Sequence, residues 1–167
     1  MSPYKIALSA AALTVMSISA ALAEGYEKFG EVESWKVFAD LEKKSCLIER
    51  SDVAGSVVQM GLTEDRGVGY VGVFTNAETN IKKGDETAVA ILIGEHVYTG
   101  EATGMKGNIT EGYSGGYVLS DDPQFLEDIE QQHEMIVFPD TDYFFIVDLT
   151  GTKKAIEMAR ECNANLL

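Results

Sequence analysis

The chain offers few residues whose types and spacing could do chemistry. Gly112-Tyr113-Ser114-Gly115-Gly116 fits the G-x-S-x-G turn of a serine hydrolase. It also fits the G-x-S-G-G around a trypsin-type nucleophile, with Tyr113 where an aspartate is expected. A nucleophile elbow sits between a strand and a helix, yet Tyr117-Val118-Leu119-Ser120 reads as a strand. A trypsin-type order needs its histidine and then its aspartate earlier in the chain. His96 is the only earlier histidine, and no aspartate separates it from Ser114. Pairing His133 with Asp121, Asp122 or Asp128 would put base and acid on one short helix, with Asp128 five residues before His133 and off its face. The serine is therefore expected in a hairpin turn, its glycines supplying positive-φ positions. No catalytic residue is assigned, and a hydrolase using Ser114 stands as the last of three functional readings.

The other candidates carry less. His96 and His133 are the two histidines, and no H-x-H, HExxH or EF-hand pattern surrounds them. Asp140-Thr141-Asp142 has too few carboxylates for a calcium cage. Neither a metal nor a cofactor is expected. With 27 Asp and Glu, a glycosidase-like carboxylate pair always exists and so indicates nothing. Asn108-Ile109-Thr110 matches a glycosylation sequon, to which a bacterial-type leader gives no weight. Tyr113, Ser114 and Tyr117, in and beside the glycine-rich stretch from Glu101 to Gly116, are the expected contact surface.

What positions these residues begins after a leader. Lys5 precedes the apolar run Ile6 to Ala20, and Ala21-Leu22-Ala23 has the small–x–small pattern of a signal-peptidase site. Residues 1–23 read as a cleaved signal peptide and 24–167 as one β-rich domain, placed in the periplasm or secreted by a bacterium with no membrane anchor after cleavage. The formal net charge is −14, which opposes binding to nucleic acid.

Period-two alternation dominates the domain. "SWKVFAD" puts Trp35, Val37 and Ala39 on one face and joins "SCLIER" through a charged turn. Residues 24–33 read as a polar lead-in. "GSVVQMGLT" and "GVGYVGVFT" form a hairpin through Glu64-Asp65-Arg66-Gly67, where Gly69 and Gly72 mark a bulge or a close backbone approach. "ETAVAILIG" is apolar on both faces and reads as a central strand covered on both sides, with "HVYTG" beside it. Asp121-Asp122-Pro123 starts a helix running to about His133. After the strands "MIVF" and "YFFIVDL", Thr150-Gly151-Thr152 opens a last helix with Ala155, Met158, Ala159 and Cys162 on one face. Cys46 and Cys162, the only two cysteines of an exported chain, are expected to form a disulfide worth about 4–5 kcal/mol by loop closure. The fold predicted is mainly β, an antiparallel β-sandwich or partly open barrel with two short helices, tied by one disulfide.

"SWKVFAD" followed by "SCLIER", together with the closing "YFFIVDLTGTKKAIEMAREC", resembles invasion-associated locus B proteins. The resemblance covers the two ends of the chain. It implies an exported β-rich domain without a catalytic motif, in which Trp35, Cys46 and Cys162 have structural roles. The function expected first is a non-enzymatic interaction or binding module contacting an envelope or host protein. Second comes a small-ligand carrier with a pocket between sheets, near Val89 to Ile93.

Overall fold

The computed structural model describes residues 25–63, 68–85, 88–102 and 113–166. The leader, the turn Glu64–Gly67, the sequon Asn108–Thr110 and Gly112 lie outside the described residues. The strands are β1 (Tyr26–Val32), β2 (Trp35–Asp40), β3 (Ser45–Ser51), β4 (Val57–Leu62), β5 (Gly69–Thr75), β6 (Val89–Ile93), β7 (His96–Ala102) and β8 (Ser114–Ser120). Helix α1 (Pro123–Gln131) precedes β9 (Glu134–Val137) and β10 (Phe145–Asp148), and helix α2 (Thr152–Asn165) closes the chain. The strands form one antiparallel sheet in the order β1-β2-β3-β4-β5-β8-β7-β6-β9-β10. The sheet is open, and the inner faces of its two halves meet in a single core, the layering of a β-sandwich.

Alternation builds that core. Trp35 and Val37 of β2 are fully buried while Lys36 between them is exposed. In β6, Val89, Ile91 and Ile93 are fully buried, but Ala90 and Leu92 are only half-buried. The expectation that both faces of this strand are covered is therefore corrected. The second face is partly open to solvent.

A second correction concerns the first described residues, where Tyr26–Val32 forms an edge strand paired with β2 instead of a polar lead-in. Its alternation is hidden because the strand is largely exposed and its register shifts between Lys28 and Gly30. Gly30 admits Met158 of α2, whose sulfur would lie 2.6 Å from any Cβ there.

The glycines at the corner of the sheet explain the third correction. Strand β7 pairs with β6 from Gly100↔Val89 to His96↔Ile93, then passes to β8 at Glu101↔Tyr117 and Ala102↔Gly116. A Cβ on Gly100 would stand 2.1 Å from the Tyr117 carbonyl oxygen, and one on Gly115 would stand 1.9 Å from that of Val73. Ser114-Gly115-Gly116 is thus no hairpin turn. It is part of β8, paired with Thr75, Phe74 and Val73 of β5 inside the sheet. Gly69 and Gly72 pair in regular register where a bulge or a close backbone approach is expected, and what fills the space beside Gly72 is a side chain, the Tyr117 ring.

The helices obey their local signals. Asp122 caps α1, its side chain accepting from the Gln124 N–H at 2.9 Å, and Pro123 follows at the first turn. The helix ends at Gln131, short of the expected His133, because the chain turns into β9 at Glu134. In α2, Ala155 and Cys162 are buried against β2 and β3. Cys162 is bonded to Cys46 with a Cα–Cα distance of 6.1 Å, so β3 is tied to the last helix as predicted.

Candidate functional site: an apolar cleft between the helices and the sheet

An apolar cleft lies where α1 and α2 approach the ends of β3, β4 and β5. Cys46, Ile48 and Met60 form its floor, Phe125, Leu126 and Ile129 of α1 one wall, and Ile156 and Ala159 of α2 the other. The cleft holds about 250 Å³. Its rim is polar, with Asp121 and Asp122 at one end and Arg160 and Asn163 at the other. Most of these polar groups already have work. Asn163 Oδ1 accepts from the Cys46 N–H at 2.9 Å, and Arg160 meets Glu130 of α1 at 3.3 Å. Few convergent polar groups over an apolar floor is the usual composition of a small-molecule site.

One wall is held by a buried carboxylate. Asp128 faces β7 from α1, and its Oδ2 accepts from His96 Nδ1 and from the Tyr98 hydroxyl, both at 2.7 Å. Its Oδ1 accepts from Gln124 Nε2 at 2.8 Å. Burial opposes ionisation, yet the hydrogen bonds from Tyr98, Gln124 and His96, with the His96 charge, outweigh it and lower the Asp128 pKa. Asp128 is therefore a carboxylate that only accepts, so the proton on the shared side belongs to His96 Nδ1. Burial first, and then the bond to Asp128, raise the Tyr98 pKa. Tyr98 packs at a tilt against Phe125 with ring centroids 4.6 Å apart, and Phe125 is itself a wall of the cleft. The polar network thereby fixes the position of an apolar wall.

This network was not legible in the sequence. Asp128 can be weighed there only against His133, on its own helix, whereas its partner comes from β7, 32 residues earlier. A histidine with Nδ1 bonded to a carboxylate has the arrangement of a triad base. Ser114 is not brought to it. From the pairing Glu101↔Tyr117, Ser114 lies three residues to one side and His96 five to the other, roughly 25 Å of strand.

The residues expected as a contact surface divide. The Tyr113 hydroxyl donates to the Gly55 carbonyl at 2.8 Å and fastens the segment before β8 to the turn before β4. Tyr117 is half-buried between Tyr70 and Phe74, edge-on to both, at 5.6 and 5.4 Å. Ser114 is half-buried opposite Thr75. None of the three lines the cleft. Nor do Val89, Ile91 and Ile93, the strand around which a carrier pocket was expected, because they are buried in the core.

Among the described residues no three His, Cys, Asp or Glu side chains are grouped to hold a metal ion, and no helix is long and apolar enough to cross a membrane. No family model, no curated protein and no solved structure matches the chain.

Proposed function

We propose that the protein is a non-catalytic binding module of the bacterial envelope, exported by its leader, that holds a small and mainly apolar ligand in the cleft between α1, α2 and the strand ends. The observation that carries this reading is the apolar floor left uncovered between two helices whose positions are fixed by a disulfide and a buried carboxylate. An apolar cavity of about 150 Å³ already accepts benzene, so about 250 Å³ takes a somewhat larger ring or a short aliphatic chain. Asp121 and Asp122 at the rim disfavour an anionic end, which points to a neutral ligand with one polar group towards Arg160 or Asn163. The resemblance of the chain's ends to invasion-associated locus B proteins agrees with export and with the absence of a catalytic motif.

The test is a pair of measurements on the protein purified from its own cells. Native mass spectrometry should show a discrete added mass that organic extraction removes. The neutral dye Nile red should gain fluorescence on the extracted protein, and Leu126→Trp, which fills the cleft from its half-exposed rim, should lose most of that gain. A wild-type protein with neither added mass nor dye response ends the proposal.

A further inference from the structure

Strand β10 presents a second surface, independent of the cleft. It is the last strand of the sheet and, among the described residues, pairs with β9 alone. Backbone groups in an antiparallel ladder point alternately to either side. Leu149 N–H donates to the His133 carbonyl, so the N–H and C=O of Ile146 and Asp148 point away from β9. The Asp148 carbonyl accepts from Arg50 Nη1 at 2.6 Å, a side chain standing where a neighbouring strand would be. Beside this edge runs a groove of about 380 Å³, bounded across from β10 by Arg50, Asp52, Val53 and Ser56.

The outward face next to the edge is apolar. Val97, Leu92, Ile136 and Ile146 stand in one register row across β7, β6, β9 and β10. Val97 is 60% and Ile146 52% exposed, with Phe144 beside them at 54%. Charge completes the description. Asp148 lies directly opposite Glu134, a like-charge pair that costs stability. Arg50 offsets Asp148 at 3.2 Å, but among the described residues no cation lies within ion-pair distance of Glu134. The formal charge of −14 extends the same sign over the molecule.

We infer that the free edge of β10 takes an extended, apolar and basic segment of a partner protein as an eleventh strand. Backbone pairing with the outward N–H and C=O of Ile146 gives the affinity, β-branched residues continue the row that ends at Ile146, and a lysine or arginine settles beside Glu134, while Arg50 keeps the Asp148 carbonyl and carboxylate. A second copy of this chain is disfavoured as the occupant by repulsion between two strongly acidic molecules.

The experiment uses a fluorescently labelled, end-capped eight-residue peptide of alternating lysine and valine, its counterpart with glutamate for lysine, and the purified protein. Anisotropy should show the basic peptide binding and the acidic one binding at least about tenfold more weakly. Ile146→Pro removes the outward N–H without touching the β9 ladder, and should weaken the basic peptide by about tenfold or more. Ile146→Lys, an exposed change that keeps the backbone intact, should do the same if the proline variant does not fold. Glu134→Lys should reduce the preference for the basic peptide. The inference falls if the basic peptide does not bind, if both peptides bind alike, or if both Ile146 variants bind it as the wild type does, which would reveal general charge attraction. It falls equally if sedimentation shows a dimer that Ile146→Lys dissolves, since the edge would then be occupied by a second copy.

Discussion

Asp128 is the residue on which the helix wall of the cleft depends. Its carboxylate is buried and takes three hydrogen bonds, from His96, Tyr98 and Gln124. A carboxyl whose folded pKa is depressed adds stability above its unfolded value, about 3.9, and loses it as pH falls through the folded value. Asp128→Asn should therefore cost about 2 kcal/mol at pH 7, measured by urea unfolding. The gap to the wild type should narrow as pH drops below the unfolded value and on through the lowered folded one, where the native carboxylate protonates too. A gap that does not narrow in acid would assign the loss to shape instead of charge. The same variant should weaken Nile red binding, because Tyr98 would hold Phe125 less firmly. None of this could be drawn from residue types alone. A histidine and an aspartate so far apart in the chain are joined only by the packing of α1 against β7.

Between elements, the closest approaches are those where glycine is required. Gly115→Ala would put a methyl group into the Val73 carbonyl, and Gly100→Ala one into that of Tyr117. Neither obstacle is a flexible side-chain end. Each substitution should cost about 3 kcal/mol or more, since a backbone ladder must move. Thermal unfolding of the two variants tests this, and a loss below about 1 kcal/mol in both would show that the corner yields easily. The period-two runs made β2 to β6 readable, because a strand with one buried face writes that face into its sequence. Strand β1 was hidden by its exposure and shifted register. The start of β8 reads as a turn in the sequence because glycine serves turns and close approaches equally well.

For the whole molecule, the Cys46–Cys162 bond joins residues separated by 116 positions, and its Cys46 forms part of the cleft floor. Replacing both with alanine should lower stability by about 4–5 kcal/mol by loop closure, measured by denaturant unfolding. The loss of ligand or dye should follow, because α2 would no longer be fixed against β3. Retained stability with lost binding would separate the two roles of the bond. At this scale the formal charge of −14 also predicts that basic-peptide binding weakens as salt rises, while the cleft, being apolar, keeps its ligand.

By itself the sequence determined the class of the fold, the strands with one buried face, the helix starts and the disulfide. These follow from alternation, capping and the count of two cysteines, all local or compositional signals. Only the tertiary structure decided that Asp128 meets His96, that the cleft opens beside the helices and away from Val89–Ile93, and that β10 stands last among the described strands of the sheet. Those facts depend on which distant segments pack together. No local pattern encodes that, because each is settled by the shared burial of surfaces far apart in the chain.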